Sequence, residues 1–112
     1  YETKDGTCIR DFIHVSDIAD VHYKILLKID KLLVSRLFNC GYGNGISVYQ
    51  VINEFKKYSN QKLKVLFLPK RKGDLSKIIA INKNLKKFIR WKPKYNNLKL
   101  MVKSCLVWEK KQ

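Results

Sequence analysis

Apolar positions along the chain fall into helical and alternating periods that divide it into short elements. Ile18, Val21, Ile25, Leu26, Ile29, Leu32 and Leu33 follow three- and four-residue steps, one apolar stripe that predicts an amphipathic helix over 17–33. Asp17 and Asp20 stand in its first turn and Lys28 and Lys31 toward its end, the polarity a helix dipole favours. Ser47 with Gln50 forms a capping box, so a second helix starts at Val48, buries Val48, Val51, Ile52 and Phe55, and ends at Ser59-Asn60. Asn82 caps a short helix through Leu85, Phe88 and Ile89 that stops before Arg90-Trp91-Lys92-Pro93. Asn97 caps a last one, with Leu98, Met101, Val102, Cys105, Leu106 and Trp108 as its stripe.

Between these helices the β-like runs are short. Asp5-Gly6 is a turn signal ahead of a run of Ile9, Phe12, Ile13 and Val15, after which Ser16 caps the first helix. Leu37 to Asn39 reads as a strand leading into Gly41-Tyr42-Gly43-Asn44-Gly45. Leu63, Val65 and Phe67 alternate until Pro69, and Lys77 to Ile81 is rich in isoleucine. The series is α/β, short strands between amphipathic helices, and not a helical bundle.

At 112 residues the chain is one domain or part of one, and a first residue other than Met predicts an excised or incomplete piece. No apolar run approaches the ~18 residues of a membrane span, and no signal-like segment opens the chain, which predicts a soluble, cytoplasmic protein. Cys8, Cys40 and Cys105 lie far apart and, with only His14 and His22 to help, make no metal set. Both histidines read as structural, Met101 and Cys105 as core filling, and Trp91 as a plug beside its turn. The net charge of +15 raises nucleic acid as a partner. However, the charge is nearly all lysine, spread over every element of an Asn- and Ile-rich chain, with arginine only at 10, 36, 71 and 90. Compositional bias explains it about as well as a binding footprint would, and nucleic acid is not the favoured partner.

Two charged stretches carry candidate chemistry. Arg10-Asp11 flanks the first β-run, and Lys70-Arg71-Lys72-Gly73-Asp74 separates two others. Read plainly, the first is a pair of surface charges and the second a solvated turn. Read for chemistry, a guanidinium suits bidentate contact with phosphate, and a carboxylate three residues on can accept from a ribose hydroxyl. Arg10 and Arg71 would then grip a diphosphate from opposite sides. The glycine run fits neither GxxxxGK[ST] nor GxGxxG and reads as a crossover whose glycines supply unusual backbone conformations.

The stretch CIRDFIHVSDIADVH at Cys8 to His22 resembles the RDYIHV-D-LA-H segment of UDP-glucose 4-epimerases, members of the extended short-chain dehydrogenase/reductase family. DGTCIRDFIHV, LFNCGYGNGISVYQVI, PKRKGD and RWKPKYNNL resemble successive blocks of the C-terminal third of those enzymes, in order. The resemblance implies the C-terminal part of an NAD(P)-binding Rossmann-like protein without its N-terminal Rossmann core. Residues 1–112 would hold a UDP-sugar and carry a helix and a strand that join the absent NAD-binding domain.

It also implies roles. Arg10 and Arg71 hold the diphosphate, Asp74 holds the uridine ribose, Phe12 stands where the family commonly has Tyr, and Ile78 lies near the hexose. Full-length enzymes interconvert UDP-glucose and UDP-galactose through a 4-keto intermediate with NAD and a Tyr-x-x-x-Lys pair. Neither the Gly-rich cofactor turn nor that pair is found in this reading. No catalytic, cofactor-binding or metal residue is therefore assigned, and the chain alone is expected to bind no NAD and to be inactive. Its expected partners are a UDP-sugar, the missing domain and further copies of itself. A stand-alone basic module for anions or nucleic acid, and a degenerate structural remnant, are the competing readings.

Overall fold

The computed structural model describes residues 1–32 and 34–111. Its centre is a three-stranded sheet with β1 (Ile9–Arg10) in the middle, antiparallel to β2 (Ile46–Ser47) and parallel to β3 (Lys77–Ile78). Four helices follow these strands: α1 (Val15–Leu26), α2 (Val48–Tyr58), α3 (Lys83–Ile89) and α4 (Leu98–Glu109). The α/β reading of the sequence describes this architecture.

The strands are short for a visible reason. Just past β1, the Asp11 carboxylate takes over from the ladder and accepts the amides of Tyr42 (2.9 Å), Gly43 (2.8 Å) and Ala80 (3.2 Å). Side-chain bonds thus join β1 to the glycine run and to the segment after β3. A Cβ on Gly41 would stand 2.6 Å from both Ala80 Cβ and Asp11 Oδ2, so this glycine is needed for close approach. Gly43, with φ of +78°, is the one in the run that uses the left-handed region.

The β-run through Val15 and its cap at Ser16 are corrected. Helix α1 begins at Val15, and His14 is the N-cap, its Nδ1 accepting from the Ser16 amide at 3.1 Å. The structural role expected of His14 is the one it has. At the other end α1 stops at Leu26, followed by a 3-10 turn at Ile29–Lys31. The predicted continuation to 33 ends on Leu33, which lies outside the described residues. Leu26 and Leu27 are exposed, so the distal part of the stripe has no surface to bury against, and propensity alone does not sustain a helix.

The Leu37–Asn39 and Leu63–Phe67 runs are not strands either. Leu37, Leu66, Phe67 and Leu68 are strongly exposed, and a lone alternating run without a pairing neighbour gains no ladder. The capping box of α2 is present in both directions, with Ser47 Oγ accepting from Gln50 N and Gln50 Oε1 from Ser47 N. Asn97 caps α4 through the Leu100 amide at 3.1 Å. Asn82 occupies the N-cap of α3 without capping it, because its side-chain amide donates to Gly41 O at 2.6 Å. Arg90 ends that helix in the left-handed region at φ +50°.

Val21, Tyr42, Leu85, Ile89, Trp91 and Met101 form the buried cluster, with Phe12, Ile13, Ile25, Phe38, Cys40 and Phe88 against it. Trp91 plugs this core as expected, stacked on Tyr42 at 6.2 Å and 10°. Cys105 and Trp108 do not, being exposed on α4. The radius of gyration is 16.7 Å, against about 13 Å for a compact domain of this length. Among the described residues no helix is long and apolar enough to cross a membrane.

Candidate functional site

Three of the five residues singled out from sequence meet at the edge of the sheet. Asp74, at the end of the turn opened by Arg71, places Oδ2 3.0 Å from Arg71 Nε and Oδ1 3.8 Å from Arg10 Nη2. Arg10 is held in place by Nη1, which donates to Ile9 O and Leu75 O at 2.9 Å each. Arg71 commits only Nε, and its side chain is 85% exposed. Among the described residues its two terminal nitrogens have no hydrogen-bond partner, so a planar pair of donors faces solvent.

Ile78 joins this group from β3. It is the register partner of Arg10, and both line a hollow of about 550 Å³ with Asp11, Phe38, Asn39 and Ala80. That volume lies in the range of small-molecule sites. Phe12 is not brought to the cluster. It packs against the core and lines a separate apolar groove between α2 and α4 with Val51, Phe55 and Met101.

Sequence reasoning missed a further member, Tyr1, whose hydroxyl donates to Asp74 Oδ2 at 2.7 Å. An aromatic residue in a polar opening segment carried no signal of this. The bond from Tyr1 first, and that from Arg71 second, hold the Asp74 carboxyl below the usual carboxylate range. The same contacts raise the Tyr1 phenol and the Arg71 guanidinium. At neutral pH the cluster is a carboxylate between two cations.

A second carboxylate, Asp17, was read only as a helix-dipole charge. It is fully buried and accepts from Tyr42 Oη at 2.6 Å, Tyr95 N at 2.9 Å and Lys94 N at 3.0 Å. Burial pushes its carboxyl up, but these three bonds outweigh it and leave it below the usual range. Tyr42 is pushed well up by burial and by that same bond, and its oxygen also accepts the His14 amide at 3.1 Å.

The fold defines a class: the chain has the α/β architecture of about one third of epimerase/dehydratase proteins of the short-chain dehydrogenase/reductase type. The family model described as NAD dependent epimerase/dehydratase family matches residues 1–41. Over 110 residues, 98% of its length, the chain is 41% identical to the UDP-glucose 4-epimerase of Azospirillum brasilense and covers 32% of that protein. It superposes over its full length on 34% of the UDP-Glc/GlcNAc 4-epimerase of Campylobacter jejuni, at 46% identity and TM-score 0.85. It does the same on 33% of the Bifidobacterium longum UDP-glucose 4-epimerase solved with NAD+ and UDP, at 30% identity and TM-score 0.84. The chain spans about a third of the length of the relatives it matches.

The glycine run does not fit the phosphates of NAD. The amides of Tyr42 and Gly43, which a phosphate would need from such a run, are turned onto Asp11, and a carboxylate already fills that place. The Tyr-x-x-x-Lys spacing, which the sequence reading did not find, does occur at Tyr58–Lys62 and Tyr95–Lys99. Neither pair lies on one helix: Tyr58 ends α2, and Tyr95 precedes α4 with its ring stacked on His14 at 4.5 Å. Among the described residues no group of three His, Cys, Asp or Glu could hold a metal ion.

Proposed function

We propose that residues 1–112 are the UDP-sugar-binding, C-terminal part of a UDP-glucose 4-epimerase that interconverts UDP-glucose and UDP-galactose, and that the chain is inactive by itself. The observation that carries this is the convergence of Arg10 and Arg71, from separate segments, on Asp74 beside a hollow walled by Ile78. The terminal nitrogens of Arg71 and Nη2 of Arg10 take diphosphate oxygens as charge-assisted donors, and Asp74 accepts from the ribose. Ile78 offers the sugar contact without directional bonds, so the nucleotide anchor and not the hexose fixes the ligand. NAD, when bound to the rest of such an enzyme, supplies the hydride acceptor. This chain contributes the tether.

A chimera tests the reading: this chain replaces the matching third of the Campylobacter jejuni enzyme. The chimera is expected to bind UDP and convert UDP-galactose, whereas the chain alone with NAD and UDP-galactose shows no turnover above a blank. A folded chimera that takes no UDP marks the chain as a structural remnant. Binding of any polyphosphate with steep salt dependence and no preference for UDP marks a general anion module.

The missing domain is also the partner proposed for the exposed apolar residues of α1 and its extension, Val15, Tyr23, Leu26, Leu27 and Ile29. Without it such patches find one another. The chain alone is expected to self-associate, and a monomer mass by light scattering over a wide concentration range would count against that.

A further inference from the structure

The two oxygens of Asp74 are unequally engaged. Oδ2 accepts from Tyr1 Oη at 2.7 Å and from Arg71 Nε at 3.0 Å. Oδ1 has only Arg10 Nη2 at 3.8 Å, beyond hydrogen-bond length. Tyr1 is not a loose end. Its carbonyl accepts the Thr3 amide at 2.8 Å, Thr3 Oγ1 donates to Thr7 O at 2.6 Å, and Lys70 Nζ lies 5.3 Å from its ring centroid. The hydroxyl is therefore delivered to Asp74 by a turn tied to the start of β1.

We propose that Tyr1 is a positioning residue: by completing Oδ2, its hydroxyl fixes the carboxylate so that Oδ1 is the oxygen left to accept from a ribose hydroxyl. This selects ribonucleotide diphosphates over nucleotides lacking those hydroxyls. It rests on the UDP-sugar reading and deepens it. Without Tyr1, Oδ2 keeps only the bond from the exposed Arg71 and the carboxylate is held less firmly about its last bond, so a ribose would have to order it further on binding. The bond also helps keep Asp74 ionised, the state in which both oxygens are acceptors.

The test titrates UDP and 2′,3′-dideoxy-UDP into the chimera carrying either Tyr1 or Tyr1→Phe, a change that keeps the ring under Lys70 and removes only the hydroxyl. The variant is expected to lose about three- to tenfold in UDP affinity and to change within about twofold for the dideoxy nucleotide. Because Tyr1 lowers the Asp74 pKa, the acid limb of UDP binding should move to higher pH in the variant, a shift that a purely packing role would not cause. In an Asp74→Asn background, Tyr1→Phe should add nothing.

Equal losses for the two nucleotides, an unmoved acid limb, or a full additional loss in the Asp74→Asn background would overturn the proposal. A parent chimera that binds no UDP is a different result and removes the UDP-sugar reading itself. If Tyr1→Phe does not fold, Tyr1→Met supplies the same loss of hydroxyl.

Discussion

Asp17 and Asp74 each accept a bond from a tyrosine hydroxyl, at 2.6 and 2.7 Å, yet their surroundings are opposite. Asp17 is fully buried, and both its oxygens are engaged by donors from the glycine run and the 94–95 turn. Asp74 keeps contact with water, with 21% of its side chain exposed, and has one oxygen without a hydrogen bond. A carboxylate removed from water must have its acceptors filled or it would not be ionised. Asp17 is such a joint, tying the start of α1 to two loops. A carboxylate left half-engaged between a tethered Arg10 and an exposed Arg71 keeps an acceptor open to a ligand. Charge and residue type are the same in both places, and the number of unfilled acceptor positions separates a closed joint from an open group.

The contrast predicts where a substitution registers. The largest effect belongs to the buried member: Asp17→Ala strands the Tyr42 hydroxyl and two amides and should destabilise the chimera by about 3–5 kcal/mol, read from urea unfolding. Arg71→Ala should leave unfolding unchanged and weaken UDP binding by about 10- to 100-fold, because a guanidinium donates two parallel bonds to phosphate. Lys72→Ala, its neighbour, should cost less than about fivefold, as for other exposed charges. Equal losses for Arg71→Ala and Lys72→Ala at fixed ionic strength would mean that the turn acts only as diffuse positive charge.

The smallest effect is in the pH dependence of stability. The carboxyl of Asp17 is lowered on folding, so its contribution is fully present above the ordinary carboxylate pKa and is lost as pH falls through the depressed folded value. Asp17→Asn should flatten the acid side of the stability profile and leave the neutral side parallel to the parent. An unchanged acid slope would show that the joint does not carry the acid sensitivity.

Elements whose signal is local were legible in the sequence. The capping box at Ser47 and Gln50, the Asn97 cap and the turn at Asp5-Gly6 came out as read, because each is decided by side chains within three residues. The end of α1 and the two missing strands were not legible, since an apolar stripe says that a surface will be buried and not whether a partner is present. His14 took the cap from Ser16, and Asn82 left its cap for Gly41, where a distant backbone group offered the better bond. The charged cluster was half legible. Arg71 and Asp74 are three residues apart and read as a pair, whereas Tyr1 reaches them only through the fold.

The sequence by itself determined the α/β series, the four helices, and the identity of the charged groups at Arg10, Arg71 and Asp74, because period, capping chemistry and motif are short-range properties. Tertiary structure alone decided which carboxylate is a joint and which is open. The donors that fill Asp17 come from Tyr42, Lys94 and Tyr95, and the one that fills half of Asp74 comes from Tyr1. Those distances in sequence leave no periodic trace. The satisfaction of a buried or half-buried oxygen is settled only when the chain has brought its donors together.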